Sequence, residues 1–244
     1  MAKILLIETS SEVCSTAISV DGKVVALSEN LEAPSHAALL TLQISECSKA
    51  AGIPLAQLDA VALSRGPGAY TALRVGASVA KGICYALEKP LIAVDTLLAL
   101  AHASRYNVPG LTSNVQHPTS NIFVPLLDAR RQEVWLAIYD DAMLEIAPAQ
   151  PLILENNSFQ KFVSAKMGEV LVSGIVLAGN GMEKMRSGES SEKLIFSEIK
   201  KCSAGYLSML AEQMFESADF QDIAYFEPFY MKPPNITTSS KALF

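Results

Sequence analysis

Ser64-Arg65-Gly66-Pro67-Gly68-Ala69-Tyr70-Thr71-Ala72-Leu73-Arg74-Val75-Gly76 is the stretch on which the fold turns. The apolar run Ala60-Val61-Ala62-Leu63 leads into it as a buried strand. Gly-Pro-Gly then reverses the chain, and a helix opens behind it and runs to about Glu88. Leu73, Ala77, Ala80, Cys84 and Leu87 form one apolar face of that helix. Arg74, Ser78, Lys81, Tyr85 and Glu88 form a narrow polar face, and Ala72, Val75, Gly76, Val79, Ile83 and Ala86 fill the remaining side. One apolar stripe suffices to dock a helix on a sheet; this helix has nearly two. Ala72 and Gly76 are small and would let another helix backbone approach. A glycine inside a helix costs about 1 kcal/mol relative to alanine, which close packing offsets. Two readings stay open: burial by its own domain, or contact with another subunit.

Upstream, Ile4-Leu5-Leu6-Ile7 reads as a strand buried on both faces. Glu8-Thr9-Ser10-Ser11 is a polar turn, and Cys14–Val20 alternates as an antiparallel partner would. Asp21-Gly22 signals a hairpin, followed by a third strand from Lys23 to Ser28. Ser35 is a candidate N-cap for a helix from His36 to Ala51, stopped by Gly52 and Pro54. Leu40, Ile44, Cys47 and Ala51 share its sheet-facing stripe, whereas Leu39 and Leu42 lie on the far side. Downstream, Leu91-Ile92-Ala93-Val94 is a further buried strand, with Asp95 or Thr96 capping a helix to about Tyr106. The order βββ-α-β-α-β-α implies a mixed sheet covered by helices.

Asn107–Asn121 is rich in Pro, Gly, Ser, Thr and Asn and marks a boundary. It divides a first domain, residues 1–106, from a smaller second one, residues 107–244. The second opens with strands Ile122–Leu127 and Glu133–Tyr139 around the turn Asp128-Ala129-Arg130-Arg131. A helix is predicted at Phe159–Lys166, a strand at Val170–Leu177 ending in Gly179-Asn180-Gly181, and a loop at 186–192. Ser203 caps a last helix to Glu216, before a Pro-rich tail whose last ten residues are expected to be loose. The second half repeats the theme of the first in eroded form.

Half of the 244 residues are hydrophobic and 18% are charged, enough apolar material for a sizeable core. The net charge is −6 with no extended Lys/Arg run, which argues against a free-standing nucleic-acid binder. Cys14, Cys47, Cys84 and Cys202 are scattered and read as reduced core thiols of a cytoplasmic protein. No signal-peptide layout opens the chain, and no apolar run approaches the ~20 residues of a membrane span. His36, His102 and His117 are too far apart to suggest a shared metal.

A Gly-Pro-Gly turn at a helix N-terminus can hold an anion, but no GKS or GKT follows and the third glycine of a dinucleotide fingerprint is missing. The alternative is a purely structural turn. Glu8, Thr9 and Ser10, with Gly66 and Gly68, are the candidate phosphate-binding residues. Ser64 and Thr71 have no evident base and are poor nucleophiles.

Taken together, Ile4–Ser10 with Cys14–Ala17, Ser35-His36, Arg65–Gly76, Leu126–Arg131, Gly179-Asn180-Gly181 and Glu227-Pro228-Phe229-Tyr230 resemble the bacterial TsaB (YeaZ) family. The similarity extends in order to about Lys232. It implies an actin/Hsp70/sugar-kinase-like α/β fold of two duplicated ribonuclease-H-like lobes with mixed sheets. It also implies a role in making N6-threonylcarbamoyladenosine in tRNA, as a non-catalytic partner of the transferase TsaD, with the ATPase TsaE. TsaD carries a metal-binding H-x-x-x-H after the strand that follows its GPG motif. Here that stretch is Thr96-Leu97-Leu98-Ala99-Leu100, without either histidine. The family's older label of M22 peptidase or glycoprotease therefore lacks its electrophile. Glu8 stands where the fold usually has Asp, and the extra methylene moves the carboxylate by about 1.5 Å. That speaks against nucleotide binding by the chain alone; ATP or ADP, if held, belongs at the boundary with the partner. No catalytic or metal-binding residue is assigned.

The resemblance and the apolar pattern together place a homodimer or TsaD interface on Leu39, Leu42, Ala72, Gly76, Val79 and Ile83. Transfer RNA is met only indirectly, through the complex. The competing expectation is an enzyme in its own right, either an ATP-using kinase-like protein or a metallopeptidase.

Overall fold

The computed structural model describes residues 1–31, 35–106, 120–168, 172–186 and 193–232. Residues 107–119 of the predicted linker Asn107–Asn121, whose last two residues open a strand, the greater part of the 186–192 loop, and the chain after residue 232 lie outside the described residues.

Strands β1 (Lys3–Glu8), β2 (Cys14–Val20), β3 (Lys23–Asn30), β4 (Ala60–Gly66) and β5 (Leu91–Asp95) form one sheet, ordered β3-β2-β1-β4-β5. β1 runs antiparallel to β2 and parallel to β4, with Ile7 opposite both Thr16 and Leu63. The second sheet contains β6 (Ser120–Asp128), β7 (Glu133–Tyr139), β8 (Glu145–Ile153), β9 (Val172–Ala178) and β10 (Leu194–Phe196). Its order is β10-β9-β6-β7-β8. β6 holds the place of β1, β7 that of β2 and β9 that of β4. The repeat anticipated from the sequence is therefore a repeat of topology. It is eroded where β10 keeps three residues.

Helices α1 (His36–Ala51) and α2 (Tyr70–Leu87) cover one face of the first sheet. In the second lobe α4 (Ser158–Met167) and the single turn α5 (Glu183–Arg186) pack with the corresponding cluster. Each lobe's last helix closes partly on the other lobe. Leu97, Leu100 and Ala101 of α3 (Thr96–Arg105) pack with Phe123, Leu127 and Val176 of the second sheet. Leu210 and Ala211 of α6 (Ser208–Glu216) pack with Ile4, Leu6, Ala62 and Val94 of the first. The chain then stays on the first lobe as a strap. Gln221 N–H donates to Leu91 O, Ile223 and Phe226 join the α1/α2 core, and Phe229 N–H donates to Arg65 O.

Most caps and bounds follow the local chemistry. Asp95 caps α3 by accepting from the N–H groups of Leu97 and Leu98, and the Ser203 hydroxyl accepts from Gly205 N–H. Gly52 ends α1 in the left-handed conformation. Ser35 does precede α1, but its side chain makes no capping bond; the helix is anchored by His36 Nε2 at 3.1 Å from Val13 O. β8 was not anticipated, because Pro148 and Pro151 argue against a central strand. As the edge strand of its sheet, it tolerates them. The predicted strand from Val170 is described as Val172–Ala178, its first two residues lying outside the described residues. All four cysteines are buried and free, and burial pushes the Cys14 and Cys84 thiols up to about 11.

Candidate functional site

The β1–β2 turn and the Gly66-Pro67-Gly68 turn meet at the top of the first sheet. Register explains why: β1 and β4 are parallel neighbours, so both turns leave the sheet at the same edge. Their polar groups are used on one another. The Glu8 carboxylate is buried and accepts from Ser10 N–H at 2.5 Å and from Ser64 Oγ at 3.0 Å. Burial raises its pKa, against the lowering effect of those hydrogen bonds. Ser10 O accepts from Ala69 N–H at 2.7 Å. A Cβ on Gly68 would fall 2.4 Å from that same oxygen. Gly66, at φ +111°, lies so close to Phe229 O that a Cβ would be 2.5 Å away. Thr9 is buried, and a Cβ on Gly76 would sit 2.4 Å from its Oγ1.

Of the five candidate phosphate residues, Ser10 and Gly68 reach the wall of a cleft, while Glu8, Thr9 and Gly66 are buried beneath it. The fold family implies ATP, but these five residues do not fit a phosphate. The Glu8 carboxylate faces inward, and the cradle between the turns is filled by the Ser10 backbone. At the other sequence-predicted position, Thr96 and Leu100 are buried at the start of α3. Among the described residues no group of three His, Cys, Asp or Glu side chains could hold a metal.

The six candidate interface residues divide. Ala72 and Gly76 are both buried within the chain, and Gly76 lies against the β1–β2 turn, where a Cβ would meet Thr9 Oγ1. Leu39, Val79 and Ile83 are half-buried against the first-lobe core, and Leu42 is 60% exposed. Much of the second apolar stripe of α2 is thus covered by the lobe itself.

The cleft lies between the lobes and has a volume of about 860 Å³. From the first lobe come Ser10, Ser11, Glu12, His36 and the first turn of α2; from the second come Asp128, Arg130, Trp135 and Asn180. Asn180 spans it: its Oδ1 accepts from Asp128 N–H at 2.9 Å and its Nδ2 donates to Glu12 Oε2 at 2.7 Å. Gly179 and Gly181 press against the backbone of Leu126 and Leu127, which sets Asn180 at this position. Lys184 pairs with Asp128 at 2.6 Å, and Lys232 of the strap pairs with Glu133 of β7. The anticipated DAR turn and GNG turn therefore act together. Trp135 and Lys232 carried no local sequence signal, because only packing brings them to the cleft, and Lys184 acts there only through its pair with Asp128.

Two duplicated lobes of this topology define the actin-like and sugar-kinase-like α/β class. An activator of 2-hydroxyisocaproyl-CoA dehydratase from Clostridium difficile, solved with bound ADPNP, shares that fold at TM-score 0.51 and 9% identity, over 89% of this chain and 97% of that one. YeaZ from Pseudomonas aeruginosa superposes with TM-score 0.75 at 23% identity, over 94% of this chain and all of that one. The family model TsaD, tRNA N6-adenosine threonylcarbamoyltransferase, matches residues 30–153. The tRNA threonylcarbamoyladenosine biosynthesis protein TsaB of Escherichia coli is 27% identical over 94% of both chains. TsaB of Haemophilus influenzae is 33% identical over 55% of this chain and 52% of its own length. The chain belongs to the TsaD family and, within it, to the TsaB (YeaZ) proteins.

Proposed function

We propose that the chain takes part in tRNA N6-threonylcarbamoyladenosine biosynthesis as a non-catalytic subunit that binds and activates TsaD, with TsaE in the assembly. The observation that carries this reading is the relationship to TsaB along nearly the whole chain. The turn supports a scaffold role over a nucleotide-using one, since its Ala69 N–H is already taken by Ser10 O and is not free for an anion. The partner surface is assigned to α1 and α2, through Leu39 and Leu42 of the first and Val79 and Ile83 of the second. The same surface makes a homodimer when the partner is absent. Four free thiols suit a reducing, cytoplasmic setting. Among the described residues no helix is long and apolar enough to cross a membrane.

A buried charge at such an interface weakens association strongly when it lacks a partner. Leu42→Glu is the variant of choice, because that side chain is exposed in the single chain. Size-exclusion chromatography with TsaD is expected to show loss of the complex while the thermal melt stays unchanged. In a modification assay with TsaD and TsaE, omission of the chain is expected to abolish product. Undiminished co-elution of Leu42→Glu would displace the interface, and full modification without the chain would remove the role.

A further inference from the structure

Tyr70, the first residue of α2, and Tyr230, on the strap, meet with ring centroids 4.6 Å apart and planes tilted by 44°. The Arg74 guanidinium lies over the Tyr70 ring at 5.1 Å. The same two rings wall the interlobe cleft on one side and a second groove of about 620 Å³ on the other. They therefore form a rib between two depressions. In the cleft, Trp135 offers an aromatic side chain whose buried indole N–H has no acceptor among the described residues. Arg130 lines the same cleft, exposed and in no ion pair among the described residues. Lys81 lies along the second groove, its Nζ on the carbonyls of Ala224 and Phe226.

We propose that this rib and its flanking cations are a stacking surface for a single-stranded RNA loop, contacted directly by this chain. The inference rests on the tRNA-modification reading and adds to it a contact between this subunit and the RNA.

Aromatic faces beside a cationic groove are what unpaired bases and their phosphates require, since every base has a π-face. A duplex hides those faces and offers only its backbone. At the Gly68 turn the Ala69 N–H is already bonded to Ser10 O, so it offers nothing to a mononucleotide's phosphate. An apolar protein partner would not call for two guanidinium groups. The acids nearby are partly engaged: Asp128 by Lys184 and Glu12 by Asn180, while Glu227 stands in the second groove. A net charge of −6 makes the contact weak in isolation and sensitive to salt.

Trp135 is the single tryptophan of the chain, so its fluorescence reports on the cleft directly. The full chain is titrated with an anticodon stem–loop RNA, a fully paired duplex of equal length, and ATP, at two salt concentrations. The stem–loop is expected to quench Trp135, less so at higher salt, and the duplex to leave it unchanged. Tyr230→Ala is expected to weaken the stem–loop about tenfold or more, while Tyr230→Phe keeps the ring and the affinity. Arg130→Ala is expected to lower the salt slope by about one. Circular dichroism checks the fold, and Tyr70→Ala is the second variant should Tyr230→Ala unfold. Equal quenching by the duplex, unchanged affinity in the folded alanine variant, or displacement of the stem–loop by ATP at micromolar concentration overturns the proposal. The modification assay with the chain omitted is run in parallel. If product persists there, the subunit role fails; if product is lost but the stem–loop does not bind, only the RNA contact fails.

Discussion

Glu8 illustrates how one residue changes meaning between sequence and structure. Its position at the end of β1 suggests a group facing a phosphate, yet the carboxylate is buried and bonded to Ser10 and Ser64. Burial raises its pKa above the ordinary value. A carboxyl raised in the folded state holds its proton more tightly there than in the unfolded chain. Its contribution is therefore most favourable at low pH and declines as pH rises from about 4.3 through the folded value. Glu8→Gln keeps the acceptor for Ser10 and removes the charge. It is expected to raise Tm at pH 7, by about 2–4 °C per kcal/mol gained, with the gain shrinking toward pH 4. Melting curves across that range decide it, and a lower Tm at pH 7 would refute the burial argument. Gly76 gives a second test at this scale. Gly76→Ala drives a methyl into Thr9 Oγ1 and is expected to cost about 1–3 kcal/mol. Thr9→Ala in the same chain removes the obstacle, so a urea double-mutant cycle should show coupling and not additivity.

At the scale of elements, α2 is held from three sides. Leu73, Ala77, Ala80 and Cys84 are buried toward the sheet, Gly76 meets the β1–β2 turn, and Lys81 holds the strap by two carbonyls. The turn before the helix depends on Gly68, whose missing side chain lets the backbone of Ser10 approach. Here the obstacle is main chain, which cannot swing aside. Gly68→Ala is thus expected to destabilise at least as much as Gly76→Ala, without rescue by Thr9→Ala. Chemical denaturation of the three variants makes the comparison, and a neutral Gly68→Ala would mean that the two turns do not need this contact.

For the whole molecule, the two lobes are joined by the α3 and α6 packing and by polar ties across the cleft. Asn180 links Glu12 to Asp128, and Lys232 links the strap to β7. Asn180→Ala with Lys232→Ala is expected to cost about 1 kcal/mol per lost tie and to open the cleft. The readout is Trp135: its emission should shift to the red and its acrylamide quenching should rise. Unchanged emission would show that the shared helices alone hold the lobes together. The proposed partner surface belongs to this scale too, because its residues come from both α1 and α2. Leu42 is exposed on α1, while Val79 and Ile83 of α2 are half-buried against the first-lobe core, so the proposed surface draws on both helices.

The amino-acid sequence by itself determined the strand–turn–helix, the meander, the glycine positions, the repeat and the family. These rest on local chemistry: short apolar runs, caps such as Asp95, and turns that need glycine. It did not reveal β8, whose two prolines are tolerated only at a sheet edge, or the strap, whose bonds join residues far apart in sequence. Nor did it show that much of the second apolar stripe of α2 is spent inside the lobe. Helical periodicity tells which side of a helix is apolar, not what covers it. The direction of Glu8, the use of Ala72 and Gly76, and the meeting of Tyr70 with Tyr230 were decided by tertiary packing. Each depends on backbones from distant parts of the chain approaching within a few ångströms.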